Sequence, residues 1–200
     1  MLRLHYAPRT ISIAVAITLE EVGTPYEAVL VDFKAGAQTK PDYRALNPKG
    51  RVPTLETPDG VLTETAALLE YVAPSLVPAD PFAAAKMREL MCYLNGTMHP
   101  YHAHGLRGER WADQQASFAD MKQKVPETMG AAAAYLETCL PDLPFDAGAG
   151  QVASDPYLYV VLSWLKGDGV EIADFPNLAA FQSRMAARAS VQAVHAKGMI

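Results

Sequence analysis

Glu64-Thr65 sets a carboxylate and a hydroxyl side by side, directly before an apolar helical run from Ala66 to Val72 that Pro74 stops. Together with the unpaired N–H groups of a helix start, they suit an ammonium and a carboxylate held close together, as on an amino acid. Upstream, Asn47-Pro48-Lys49-Gly50 is turn chemistry, with proline fixing φ and glycine tolerating φ above zero. Arg51-Val52-Pro53-Thr54-Leu55 then reads as a short strand entered through Pro53. X-Pro is the only common site of a cis peptide. A cis Val52-Pro53 bond would turn the Val52 N–H and C=O sideways, toward an extended ligand rather than a neighbouring strand. Pro58-Asp59-Gly60 marks a hairpin turn before Val61-Leu62. Two hydroxyls, Thr10 and Ser12, stand where the first helical pattern opens, and there N–H groups and the helix dipole favour an anion. His99, His102 and His104 raise the question of zinc. H-x-x-H-x-H without a carboxylate or cysteine at ligand spacing is a weak metal pattern, and no metal is expected.

These groups need a scaffold, and the chain supplies one in two styles. Leu2, Leu4 and Tyr6 share a face of a first strand. Ile11, Ala14, Val15, Thr18, Leu19 and Val22 then follow a helical period with one buried face, and Gly23 and Pro25 end it. A second strand over Glu27 to Asp32 makes a βαβ unit with parallel strands. The segment from Pro74 to Pro81 contains three prolines, a stiff linker and the best domain boundary in the chain. Beyond it every pattern is helical. Asp80-Pro81 caps a helix whose methionine stripe, Met87 to Met98, is interrupted at His99-Pro100. A pattern from Trp111 to Leu140 breaks near Pro126, and Asp155-Pro156 starts a run to Lys166. Phe175-Pro176 and Ser190-Val191 open the last two.

Composition narrows the function classes. Over 200 residues, half are hydrophobic and a fifth charged, ordinary for a globular protein. A net charge of −5 without a Lys/Arg cluster argues against a nucleic-acid partner. No apolar run is long enough to span a membrane, and the start lacks a signal-peptide core. Cys92 and Cys139 sit within apolar helical patterns, which predicts buried free thiols and a reducing, cytoplasmic compartment.

The pattern N-P-x-G-x-V-P-x-L, a turn, then an acidic–hydroxyl pair opening a helix resembles the glutathione transferases, and the two-part plan extends the resemblance over the whole chain. It implies an α/β thioredoxin-like N-terminal domain, residues 1–76, followed by an all-α helical-bundle C-terminal domain, residues 82–200. Tyr6-Ala7-Pro8-Arg9-Thr10-Ile11-Ser12 is similar to the start of the bacterial beta type, Y-x-P-x-S-C-S, with Ile11 in the cysteine slot. His99 falls where that type carries an active-site histidine. Mixed-disulfide chemistry from position 11 is thereby excluded. Val152 stands where the family has a capping Ser/Thr, while Asp155 matches the family's core aspartate.

The resemblance implies glutathione as substrate or cosubstrate. Glu64 and Thr65 would hold its γ-glutamyl end, Val52 beside Pro53 would pair with its cysteinyl backbone, and Lys49 and Arg51 would attract the glycyl carboxylate. An unperturbed thiol has a pKa near ~8.5, and lowering it by about two units requires roughly 2.7 kcal/mol. A helix N-terminus and one charge-assisted hydrogen bond suffice, together about 2–5 kcal/mol. Ser12, the identical match, is the expected sulfur donor, with Thr10 and His99 as further catalytic candidates. Arg107 and Arg110 read as surface charges, and Trp164 as core or as the wall of an electrophile pocket. The expected activity is thiolate attack on a small hydrophobic electrophile by a homodimer. Glutathione-dependent peroxidase, disulfide reductase or isomerase chemistry, and a binding protein without activity, are the rival readings.

Overall fold

The structure, a computed structural model, describes residues 1–142 and 151–200. Its first part alternates strands and helices: β1 (Leu2–Tyr6), α1 (Ser12–Glu21), β2 (Tyr26–Leu30), α2 (Pro41–Leu46), β3 (Thr54–Thr57), β4 (Gly60–Thr63) and α3 (Thr65–Val72). The sheet order is β2-β1-β3-β4, with β1 parallel to β2 and the β3–β4 hairpin antiparallel. The parallel pair requires a crossover, which α1 provides. The sequence period gives α1 one buried face, but Ser12 through Leu19 are all buried. The helix is enclosed by β1 and α3 on one side and by helices of the second part on the other.

The second part is helical throughout the described residues. It comprises α4 (Pro81–Tyr93), α5 (His99–Leu106), α6 (Gln115–Cys139), α7 (Asp155–Leu162), α8 (Pro176–Ala186) and α9 (Ala189–Ala196). Asp80 caps α4 by accepting the Ala83 N–H at 2.8 Å. The expected interruption at His99-Pro100 is absent. A widened turn over Leu94–Met98, in which the His99 N–H reaches back to the Leu94 carbonyl, carries α4 straight into α5. Pro100 cannot donate to a regular helix, and the wide turn absorbs that missing bond. Pro126 likewise lies inside an unbroken α6. A mid-helix proline costs about 3 kcal/mol, while burial of Val125, Met129 and Leu136 contributes roughly 1.5–3 kcal/mol each. Packing therefore overrides the local break. Asp155 accepts the Val152 N–H at 3.1 Å, so it fastens its own entry to α7 in place of the absent Ser/Thr.

The two parts are tied as well as packed. Glu21 at the end of α1 accepts hydrogen bonds from Arg188 Nε at 3.2 Å and Ser190 Oγ at 2.6 Å. Arg88 on α4 grips Glu70 on α3 through two contacts of 2.8 Å. The Arg9 N–H donates to the Met199 carbonyl at 3.3 Å. Of the two free cysteines, Cys139 is partly buried, but Cys92 is exposed, contrary to the apolar pattern around it. Period alone could not distinguish the solvent side of α4, where Glu89 and Cys92 both lie.

Candidate functional site

A cavity of about 290 Å³ opens between the two parts, and the Asn47–Thr54 loop forms one wall of it. Asn47, almost fully buried, shapes that loop: its Nδ2 donates to the Arg51 carbonyl at 2.8 Å and to Thr54 Oγ1 at 2.9 Å, and its Oδ1 accepts the Lys49 N–H at 3.1 Å. The Tyr43 hydroxyl donates to the same Arg51 carbonyl at 2.7 Å. Gly50 sits at φ 62°, and a Cβ there would lie 2.8 Å from the Gln38 carbonyl oxygen, so only glycine fits. The Val52-Pro53 peptide is cis. Glu64 caps α3 at φ 72°, a conformation few residues without a glycine's freedom adopt, and such strain clusters at ligand sites. Lys49 Nζ donates to Glu64 Oε1 and to Thr63 Oγ1, each at 2.6 Å. Lys49, Arg51, Val52, Pro53, Glu64 and Thr65 all face the cavity.

Thr10 and Ile11 line the same cavity, but Ser12 does not. Ser12 is fully buried, and its hydroxyl is engaged from behind: it accepts the Ala7 N–H at 3.1 Å and meets the Ala7 carbonyl at 3.2 Å. Thr10 Oγ1 stands 2.7 Å from Ser12 Oγ, between it and the cavity. Ser12, the expected sulfur donor, is thus set behind Thr10 rather than on the cavity wall. The residue type matched, but α1 begins at Ser12 and turns its side chain back onto the strand end. Among the described residues no cysteine lines the cavity.

The helical part closes the other side with His99, His102, Arg107, Arg110 and Trp164. Burial, then His102, Arg110 and Arg51, lower the His99 pKa to about 4, so the ring is neutral at ordinary pH. His99 meets the Trp164 ring edge-on at 5.1 Å, and His102 stacks on that ring at 4.3 Å. Arg107 and Arg110 are therefore cavity residues rather than remote surface charges, and Trp164 is both buried and a wall. Asn47 was read only as part of a turn, not as the buried residue that shapes the loop. Arg9 and Asp168 were given no role by the sequence: only their polarity marked them, and nothing local said which way they face. A second cavity of about 410 Å³ adjoins, lined by Ile13, Tyr159 and Val160 and sharing Arg9, His102, Leu106 and Trp164 with the first.

Among the described residues the charges in the first cavity are lopsided: Arg9, Lys49, Arg51, Arg107 and Arg110 against Glu64. Such a site suits an anionic ligand with one ammonium for Glu64. The three histidines do not converge. His104 packs edge-on to Trp111, away from the Trp164 pair, and no metal-holding cluster exists among the described residues. No helix among them is long and apolar enough to cross a membrane.

Residues 3–74 match the family description "Glutathione S-transferase, N-terminal domain". Over its full length the chain is 31% identical to glutathione S-transferase GstA of Escherichia coli O157:H7, covering 99% of this chain and 100% of that protein. The chain belongs to the glutathione S-transferase family. A crystal structure of a glutathione transferase homolog from Sulfitobacter with bound glutathione superposes with a TM-score of 0.96 at 54% identity, covering 100% of this chain and 99% of that one. A sphingomonad glutathione S-transferase complexed with glutathione gives 0.84 at 29% identity, covering 99% and 100%. In this glutathione S-transferase the family-matched segment runs from β1 through α3, and so contains Thr10, the cis-proline loop and Glu64-Thr65.

Proposed function

We propose that the protein is a glutathione transferase that ionises the glutathione thiol in the first cavity and directs it at an apolar electrophile in the second. The observation that carries this reading is the single cavity in which the cis Val52-Pro53 loop, the Glu64-Thr65 helix start and Thr10 meet, opening beside an apolar one. Glu64 and Thr65 take the γ-glutamyl ammonium and carboxylate, and Val52 takes the cysteinyl backbone. Arg51 and the α5-end arginines draw in the remaining carboxylate. The subclass is bacterial beta-like, with Ile11 closing the cysteine slot against mixed-disulfide chemistry. Thr10 gives the sulfur its hydrogen bond, and Ser12 positions Thr10. When the Ser12 hydroxyl satisfies the Ala7 carbonyl, the Thr10 proton is released toward the ligand. Exposed Val61, Tyr71 and Phe82 support a homodimer.

Calorimetry with glutathione tests binding: Glu64→Ala should weaken it by at least about tenfold, the loss of one charged contact. The thiolate absorbance of bound glutathione, titrated with pH, tests activation. Thr10→Ala should raise the midpoint by about one unit or more, with a smaller change in Ser12→Ala. No binding by the wild type sinks the reading, and a larger shift in Ser12→Ala sinks the assignment of Thr10. A sedimentation mass of one chain at micromolar concentration rules out the dimer.

A further inference from the structure

Arg9 is the cation that the glutathione reading leaves without a task. It stands at φ 59°, in the left-handed region where glycine is the favoured residue. Two hydrogen bonds to the helical part hold its backbone there. The Arg9 N–H donates to the Met199 carbonyl, and the Trp164 indole N–H donates to the Arg9 carbonyl, each at 3.3 Å. Glycine would make the same bend without strain, so the arginine brings a charge at a conformational cost. Its side chain lines both cavities, and it is the one arginine or lysine among the described residues of the second. No described side-chain carboxylate lines that second cavity, and Arg9 forms no ion pair with a described residue. Asp168, buried behind this wall, lies with both carboxylate oxygens 2.9 Å from His102 Nδ1, and is thus matched to the histidine rather than to Arg9.

The cleft also holds more positive charge than glutathione can match. Among the described residues five cations and Glu64 leave the first cavity with a net four positive charges, and the neutral His99 adds none. Glutathione as the thiolate, with three anionic groups and one ammonium, brings a net two negative charges. Two positive charges are left over when it is bound. The crowding is felt at Arg110, whose pKa is lowered by burial and then by Arg51 and Arg107.

We propose that Arg9 is a specificity-determining residue that selects acceptors carrying one carboxylate on an otherwise apolar body. The proposal rests on the transferase reading above. Ile13, Tyr159 and Val160 take the body, the acid end meets Arg9, and the electrophilic carbon faces the thiolate beside Thr10. A guanidinium grips a carboxylate through two N–H donors, so it sets the acceptor's orientation as well as its charge. Because Arg9 and Thr10 are consecutive, the anchor for the acceptor and the donor to the sulfur ride on one fixed turn. With an aryl halide, the thiolate forms a C–S bond at the carbon bearing the halogen, and the ring carries the displaced electron pair. Halide then leaves with the C–halogen pair, the thiol proton passes to water, and no oxidant or reductant is needed.

The test compares 4-chloro-3,5-dinitrobenzoate with its methyl ester, which present the same reacting carbon with and without the negative charge. Each kcat/KM is divided by the rate constant of the uncatalysed reaction with glutathione. The wild type should then favour the acid by at least about tenfold, the worth of one charged contact. Arg9→Gly, which suits the left-handed backbone, should bring the acid-to-ester ratio near one, chiefly through KM for the acid. Arg9→Lys, which keeps the charge and loses the two-donor grip, should retain part of the preference. Equal use of acid and ester by the wild type, or a preference that survives Arg9→Gly, overturns the assignment. A calorimetric glutathione affinity that falls in Arg9→Gly as steeply as the acid's kcat/KM makes Arg9 a glutathione contact and overturns it too. A wild type that conjugates only the ester overturns it and spares the transferase reading. A wild type that binds no glutathione removes both.

Discussion

His99 shows how the environment of one side chain can count for more than its identity. The ring sits mostly buried beside Trp164, with Arg51 and Arg110 in the same cavity, and its pKa falls from 6.5 to about 4. At neutral pH it can donate from one N–H but brings no positive charge to a thiolate. The depressed value also ties stability to pH. Above about 6.5 the ring is neutral both folded and unfolded; between there and about 4 only the unfolded chain takes up the proton, so stability falls as pH falls. From about pH 7 to about pH 4.5 the loss from this group comes to about 2–3 kcal/mol. Urea unfolding should show His99→Asn losing less stability than the wild type over that range by roughly this amount. Parallel curves for the two proteins would refute the burial argument. A histidine at position 99 was legible in the sequence; its neutrality was not, because it depends on burial in the assembled cleft and on Arg110 and Arg51 from two different stretches of chain. Ser12 teaches the converse: its hydroxyl and its spacing were legible, while the turn that puts Thr10 in front of it was not.

At the scale of elements, the strands, most helix starts and the Asp80-Pro81 cap could be read in advance, since each rests on local chemistry. The continuity of α4 into α5 and of α6 through Pro126 could not. Both depend on what the helix packs against, and a proline in sequence carries no record of its neighbours. The cis-proline loop falls between these cases. Its glycine was recognised as a turn former, but the reason glycine is obligatory is the Gln38 carbonyl at 2.8 Å from where a Cβ would be. Gly50→Ala should therefore destabilise the protein by more than about 1 kcal/mol, since both φ and a rigid backbone oxygen oppose the methyl. Gly96, in the wide turn before α5, has open space at its Cβ position, and Gly96→Ala should be neutral or stabilising by up to about 1 kcal/mol. Thermal melting of the two variants beside the wild type decides it. Equal behaviour would show that the Asn47–Thr54 loop yields more readily than its hydrogen bonds imply.

For the whole molecule, the order of an α/β part and a helical part was readable from the change of period at the proline-rich linker. How the parts meet was not, because the cleft is assembled from side chains scattered between positions 9 and 164. That scatter concealed the distribution of charge. The chain carries a net −5, yet Arg9, Arg51, Arg107 and Arg110 converge on the cleft from distant stretches. A small anion approaching at random is repelled by most of the surface and drawn to one opening, where low-dielectric walls concentrate the field. Glutathione capture should then be a steered encounter. Screening shortens from about 30 Å at 0.01 M salt to about 10 Å at 0.1 M. Stopped-flow binding should show the association rate constant dropping severalfold over that range, while the dissociation rate constant, set by contacts inside the cleft, changes little. A salt effect confined to dissociation would place the arginines' influence after docking. Steering of this kind makes the enzyme's speed at low glutathione a property of ionic strength, adjustable by the medium without any change in the site.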